Sequence, residues 1–228
     1  MIDKPYIAVG TPIHLNGYGR HVQPERTPWL HAAITAAHGL GHEPPGQSAA
    51  MRNAWSLIPY DCDSGWAAVW WDPSDGIRLA MTTRPSRIGA TNCQLKFGAA
   101  VKIHTPPMRA RCDHTIKLRA ITPVSIARHV NKQRLEHDLP TDQTITHALH
   151  NIASKLRLRT DEIKAGIVSF EVRQERWRLK GKMGAVGGWV GDVTLRCTPT
   201  AAWLLDAASR GLGLGSRVAF GLGRIIVG

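Results

Sequence analysis

Little cysteine, no long apolar run and a shortage of acid mark this chain of 228 residues. Its four cysteines, at 62, 93, 112 and 197, include no Cys-x-x-Cys pair. Zinc sites and disulfide frameworks need closer or more regular spacing, so these read as buried thiols in a reducing compartment. No uncharged apolar run approaches the roughly 18 residues of a membrane span. The start, Met1-Ile2-Asp3-Lys4-Pro5, lacks the basic region and hydrophobic core of a secretory leader. A cytoplasmic protein without a membrane partner is expected. Histidines gather early, at 14, 21, 31, 38 and 42, but Gly39 and Gly41 break the helical spacing of His38 and His42. No metal site and no cofactor are expected.

Acid is scarce in one half only. Lys plus Arg is 29 against 17 Asp plus Glu, a formal charge of +12. Residues 1–100 hold 8 basic and 7 acidic groups, whereas residues 101–228 hold 21 and 10, a net +11. A field of one sign attracts polyanions, and Lys and Arg contacts to phosphate supply most non-specific nucleic-acid affinity. A merely solubilising surface is the plainer alternative. Apolar residues at 43% and charged residues at 20% are ordinary globular values, which excludes wholesale disorder.

The second half is the more legible. His114–Ile126 alternates as a half-buried strand, and Thr141-Asp142 caps a helix with Ile145, Leu149, Ile152 and Leu156 inward. Ile167–Leu179 and Trp189–Leu195 alternate again, Pro199 opens a helix closed by Gly211, and Ile225–Val227 is a last strand. That order is β-α-β-β-α-β, the ferredoxin-like unit. The first half gives a fainter copy. Pro5–Leu15 is a strand, Thr27-Pro28-Trp29 starts a helix, and Trp66–Trp71 with Ile77–Thr83 forms a hairpin turning at Asp72–Gly76. Gln94–Thr105 is a strand and 43–65, with Pro44-Pro45-Gly46, a loop. The predicted class is α+β, two ferredoxin-like halves in tandem, 1–107 and 108–228, joined near Thr105-Pro106-Pro107.

Five glycines, Gly211, Gly213, Gly215, Gly221 and Gly223, stand in thirteen residues before the last strand. No Gly-Lys-Ser/Thr follows, and the loop leads into a strand, so it is not a P-loop. Such a loop lets backbone N–H groups approach phosphates without Cβ obstruction, with Arg217 and Arg224 adding charge. A tight connection crossing the sheet is the alternative. The pattern Gly-x-Gly-Ser-Arg-x-Ala-Phe-Gly-x-Gly over 213–223, with 187–195 and the helix from Pro199, resembles the C-terminus of CRISPR repeat-processing endoribonucleases. These belong to the RAMP superfamily, and the basic second half looks most like its type IV processing nuclease. The match is specific over about 165–228 and topological before that.

The resemblance implies cleavage of precursor CRISPR RNA within its repeats by a 2′-OH attack that needs no metal. The products are a 2′,3′-cyclic phosphate and a 5′-OH, and the enzyme often stays on the guide RNA within an effector complex. It places the base in or after the loop joining the first strand and helix, where Tyr18, Arg20, His21 and His31 are the candidates. His31 stands in the first helical turn, where the dipole disfavours an imidazolium. Arg20 and Arg224 offer planar forks for phosphate oxygens. For RNA grip the candidates are Arg217, Arg224, Arg176, Arg178, Lys180 and Lys182, then Arg128, Lys132, Arg134, Lys155, Arg157 and Arg159. Alternation puts Trp177 opposite Arg176 and Arg178, which favours the core over a platform for base stacking. The rivals are a non-catalytic RAMP subunit that only holds RNA, and an unrelated ferredoxin-like RNA-binding protein. The charge asymmetry makes one prediction for all three. RNA affinity should fall steeply with salt as counterions are released, and a flat titration would show that the +11 half is not the footprint.

Overall fold

The computed structural model describes residues 5–38, 55–108, 113–130, 133–137, 139–158, 162–180 and 184–228. The loop expected at Pro44–Gly46, the thiol of Cys112, and Lys132, Arg159 and Lys182 lie outside them, as do the side chains of Arg128 and Arg134.

The first half runs β1 (Tyr6–Asn16), α1 (Thr27–His38), β2 (Trp55–Pro59), β3 (Trp66–Trp70), α2 (Pro73–Leu79), β4 (Thr83–Ile88), β5 (Thr91–Phe97) and β6 (Val101–Thr105). Its sheet has the order β2-β3-β1-β5-β4, with β6 on β1 beside Tyr6–Gly10 and β5 on β1 beside Ile13–Asn16. Three expectations fail here. Asp72–Gly76 is no strand-to-strand turn but a helix start: the Asp72 carboxylate accepts from the Ser74 amide at 2.9 Å and Pro73 takes the first helical position. Of Ile77–Thr83, accordingly, the first three residues are the end of this helix and only Thr83 is strand. The hairpin partner of β3 is β2, whose Trp55, Ser56 and Leu57 are all buried. A strand covered on both faces shows no alternation, which is why 55–59 read as loop. The single strand expected over 94–105 is two, β5 and β6.

The second half runs β7 (His114–Val124), β8 (Ile126–Val130), β9 (Gln133–His137), α3 (Asp142–Lys155), β10 (Ala165–Leu179), β11 (Gly184–Cys197), α4 (Pro199–Ala207) and β12 (Ile225–Val227). Its sheet has the order β10-β11-β7-β12, the ferredoxin-like arrangement, with β8–β9 as an added hairpin. Thr141 and Thr144 form a reciprocal capping box at the start of α3.

Helices α1 and α2 cover one face of the first sheet over Ile13, Leu15, Leu95 and Phe97. Part of the other face, with Ala8, Val69 and Trp71, joins the core that α3 and α4 make with the second sheet. The glycine loop closes this junction. A Cβ on Gly211 would stand 2.9 Å from Val69 Cγ2, one on Gly221 2.5 Å from Trp66 Cζ3, and one on Gly215 2.5 Å from the Ser125 carbonyl. Inside the loop, a Cβ on Gly213 would stand 2.8 Å from Val218 Cγ1, and one on Gly223 would meet the Leu214 carbonyl.

This packing gives the five glycines a role other than the phosphate approach expected of them. Gly211, Gly213, Gly221 and Gly223 are buried and Gly215 is half-buried, so the loop does not lie open to a ligand. The Gly213 amide is spent on the Ala208 carbonyl at 3.0 Å, and the amides of 214, 216, 220, 221, 223 and 224 likewise donate inside the protein. All five glycines have positive φ. They let main chain press against two sheets, which is the close approach that the sequence pattern records.

Gly221→Ala should therefore cost about 3 kcal/mol, a left-handed backbone penalty plus an overpacked core, read from urea unfolding. Gly19 also has positive φ, but no atom lies within 4 Å of its Cβ position. Gly19→Ala should cost about 1 kcal/mol, from the backbone alone. Equal losses at the two positions would remove the packing account.

Candidate active site and RNA-facing surface

The connection from β1 to α1 is short, glycine-hinged and tied down from three directions. Gly17 and Gly19, at φ +87° and +72°, let the chain reverse after β1. The β2–β3 turn holds it first: the Val22 amide donates to the Ser64 carbonyl at 2.8 Å, and Trp66 Nε1 donates to the Val22 carbonyl at 2.6 Å. The glycine loop holds it next, as Thr27 Oγ1 reaches the Phe220 carbonyl at 2.8 Å. Beyond β10, the Lys180 amide donates to the Glu25 carbonyl at 2.7 Å.

On this loop Arg20 and His21 are exposed side by side. The Arg20 guanidinium stands 5.5 Å from the centroid of the Tyr18 ring, and His21 lies over Gly65, where an added Cβ would come within 3.4 Å of its ring. Tyr18 is buried, and Arg26 Nη1 donates to its hydroxyl at 3.0 Å. Sequence reasoning missed Arg26. Its only signal was position, at the end of the 3₁₀ turn Pro24–Arg26 that leads into α1.

The other two catalytic candidates sit elsewhere. His31 packs between aromatic rings, 5.0 Å from Trp55 and nearly parallel to it, and 4.5 Å from Phe220. Arg224 is half-buried, and its Nη1 donates to the Ser209 carbonyl just past α4. Burial lowers its pKa. Its amide donates to Thr122 Oγ1 at 2.9 Å and its carbonyl accepts from Ile121 at 2.8 Å, so it pins β12 to β7. Arg20 and Arg224 thus have separate partners on separate elements.

The basic candidates divide as well. Arg176 and Arg178 are exposed on one face of β10, as is Lys180 just past its end, while Trp177 is half-buried against both the first core and Leu222. Trp177 Nε1 donates to Glu175 Oε1 at 2.9 Å. Arg217, at φ +62°, starts the 3₁₀ turn Val218–Phe220 and is half-buried. Lys155, a candidate for RNA grip, folds back on the protein, with Nζ 4.4 Å from the Trp71 ring centroid. Burial pushes its pKa down from 10.5 to about 8. Arg157 nearby is exposed, at φ +55°, and helps to lower the Asp72 pKa behind the Ser74 hydrogen bonds. Among the described residues no group of three His, Cys, Asp or Glu side chains comes together that could hold a metal, and no helix is long and apolar enough to cross a membrane.

Among solved structures the chain is similar over nearly its whole length to Thermus thermophilus Cas6, at 17% identity and a TM-score of 0.61, covering 98% of each chain. A Cas6 product complex matches at 15% identity and 0.60, covering 97% of this chain and 99% of that one. An RAMP protein binding different RNA substrates matches at 10% and 0.59, with the same coverage. No protein-family model matches, and no curated protein matches. The tandem ferredoxin-like fold of this chain is therefore the fold of the Cas6 and RAMP structures.

Lys155 yields a test independent of RNA. Between its folded pKa of about 8 and the ordinary 10.5, the unfolded chain holds the proton that the folded one has lost. Charge burial therefore costs stability below this window, and the cost disappears as pH rises through it. Lys155→Met should melt above wild type at neutral pH, and the gap should narrow from about pH 8 upward. A gap that stays constant into alkaline pH would show that Lys155 is not held in a desolvated place.

Proposed function

We propose that the chain is a metal-independent endoribonuclease that cuts precursor CRISPR RNA within its repeats, keeps the guide product and carries it into an effector complex. The observation behind this reading is the loop that bears Arg20 and His21. It is exposed, fixed on three sides, and bonded at Glu25 to the strand whose open face carries Arg176, Arg178 and Lys180. The fold shared with a Cas6 product complex and with an RNA-binding RAMP protein supports it.

Cleavage needs a proton acceptor at the ribose 2′-OH, a donor for the leaving 5′-oxygen and positive charge on the phosphorane. His21 is exposed, so its imidazole can reach a 2′-OH and take its proton. The 2′-oxygen then bonds to phosphorus as the bond to the 5′-oxygen breaks, giving a cyclic phosphate and, after proton return, a 5′-OH. Arg20 presents a fork to the equatorial phosphoryl oxygens, and its stacking on Tyr18 limits where that fork can point. The Arg26–Tyr18 hydrogen bond keeps the ring in place. His31, wedged between Trp55 and Phe220, and Arg224, bonded to Ser209, serve packing in this reading.

The purified protein should cut the repeat RNA of its own array once in EDTA and leave a cyclic phosphate. A single 2′-deoxy substitution at the cut should block cleavage and spare binding. Arg20→Ala should slow single-turnover cleavage by roughly 10²–10³, the usual cost of one transition-state donor. His21→Ala should slow single-turnover cleavage by roughly 10²–10⁴, the usual contribution of a positioned general base. Arg224→Ala should lower thermal stability and leave the rate of the folded fraction near wild type. Tight binding without any cutting would instead identify a non-catalytic RNA-holding subunit.

A further inference from the structure

The basic half of the chain is not the only surface that suits RNA. Beyond the junction, the first sheet leaves the upper part of one face uncovered, and alternation places a distinct set of side chains there. His14 lies directly opposite Lys96, and Asn16 opposite Gln94. Across the next pair, Arg87 lies opposite Asn92, Pro85 opposite Gln94 and Thr83 opposite Lys96. Opposed residues share a face, so His14, Asn16, Asn92, Gln94, Lys96 and Arg87 form one strip across β1, β5 and β4. Their neighbours in sequence, Ile13, Leu15, Cys93, Leu95 and Ile88, point to the other side and are buried under α1 and α2.

The chemistry of the strip is selective. It carries three amides and two fixed cations, and no acid belongs to it. Asp63, from the β2–β3 turn, approaches only to bond His14 Nδ1 at 3.0 Å. Asn16, Asn92, Gln94 and Arg87 are exposed. Amide side chains donate and accept at once, as the edges of unpaired bases do, and Lys96 and Arg87, at either end of the amides on this face, can meet phosphates. An acidic protein surface would use the cations and leave three amides idle. An A-form stem would hide its base edges from them. The strip is also continuous with the candidate site: Asn16 is followed by Gly17, which rests on the Asn92 carbonyl and Cys93, and then by Tyr18 and Arg20.

We infer that the β1-β5-β4 face binds the single-stranded RNA that adjoins the scissile nucleotide and reads its base edges through Asn16, Asn92 and Gln94. This rests on the reading of the chain as a repeat-processing nuclease and extends it to a substrate segment that the basic half does not contact. None of the six side chains is an aromatic ring of the Phe, Tyr or Trp kind, so recognition here comes from hydrogen bonding and phosphate contact, without the stacking that makes many single-strand platforms indifferent to sequence.

The test compares three RNAs: the repeat stem–loop alone, and the same stem–loop with a 5′ or a 3′ single-stranded extension of about eight nucleotides, within the span of one such platform. Affinities are read by fluorescence anisotropy over a salt series. One extension should tighten wild-type binding about tenfold, an increment worth one good base contact. Asn92→Ala with Gln94→Ala should abolish that increment and leave stem–loop affinity and stem–loop cleavage unchanged. Lys96→Ala and Arg87→Ala should each lower the salt slope for the extended RNA by about one. Cleavage of the stem–loop with no gain from either extension, or a gain that survives the double variant, would overturn the inference while leaving the nuclease reading intact. Failure to bind any of the three RNAs would overturn both.

Discussion

Two sheets in this protein are joined across main chain that has no room for side chains. Gly221 meets the edge of Trp66, Gly211 meets Val69, and Gly215 and Gly223 lie against the backbone of Ser125 and Leu214. Each of these approaches requires both a missing Cβ and a positive φ, which only glycine supplies without strain. Much else follows from that contact. Ala219 completes the first half's core, the Phe220 carbonyl receives Thr27 at the start of α1, and the Phe220 ring lies on His31. The β1–α1 connection therefore takes its position from a loop almost two hundred residues further along the chain.

Strands β10 and β11 link that junction to the basic surface by an uneven use of their two faces. Near its start, β10 turns Val172 to the core that α3 and α4 make with the second sheet, alongside Val193 of β11, while Phe170 stays exposed. At its far end the opposite parity is buried, with Trp177 beside Val186 and Leu179 near Leu222. The hairpin thus crosses from one core to the edge of the other. Arg176, Arg178 and Lys180 remain exposed because the face opposite them is filled. A basic stripe and the candidate loop come together at Lys180 and Glu25 through a main-chain hydrogen bond.

Periodicity reveals elements that bury one face and hides those that bury two. β7 and α3 were legible from one apolar stripe each, β10 from its alternation and α4 from its proline start, and with them the ferredoxin-like order of the second half. β2 was hidden by burial on both sides, and α2 by a cap-and-proline start that also suits a turn. The glycine pattern flagged the right loop but left its physics open, since close approach to phosphate and close approach to a neighbouring sheet select the same residue. Among site residues, sequence placed Tyr18, Arg20 and His21 on one loop. It could not show that His31 is clasped by rings, that Arg224 is bonded to Ser209, or that Lys155 bends back on Trp71. Those outcomes depend on contacts between residues far apart in the chain. The polar strip on β1, β5 and β4 was equally invisible, because its register is set by pairing and not by any local pattern.

The late position of the glycine loop has a consequence for synthesis. A chain made from its N-terminus folds domain by domain where each domain can close its own core. Here the first half supplies nearly all of the core around Ile13 and Leu95 by itself, but Ala219 and the glycines seated on Trp66 and Val69 arrive only with the second half. The β1–α1 connection, held at Thr27 by the Phe220 carbonyl, therefore gains its last anchor only after the end of the chain has been made.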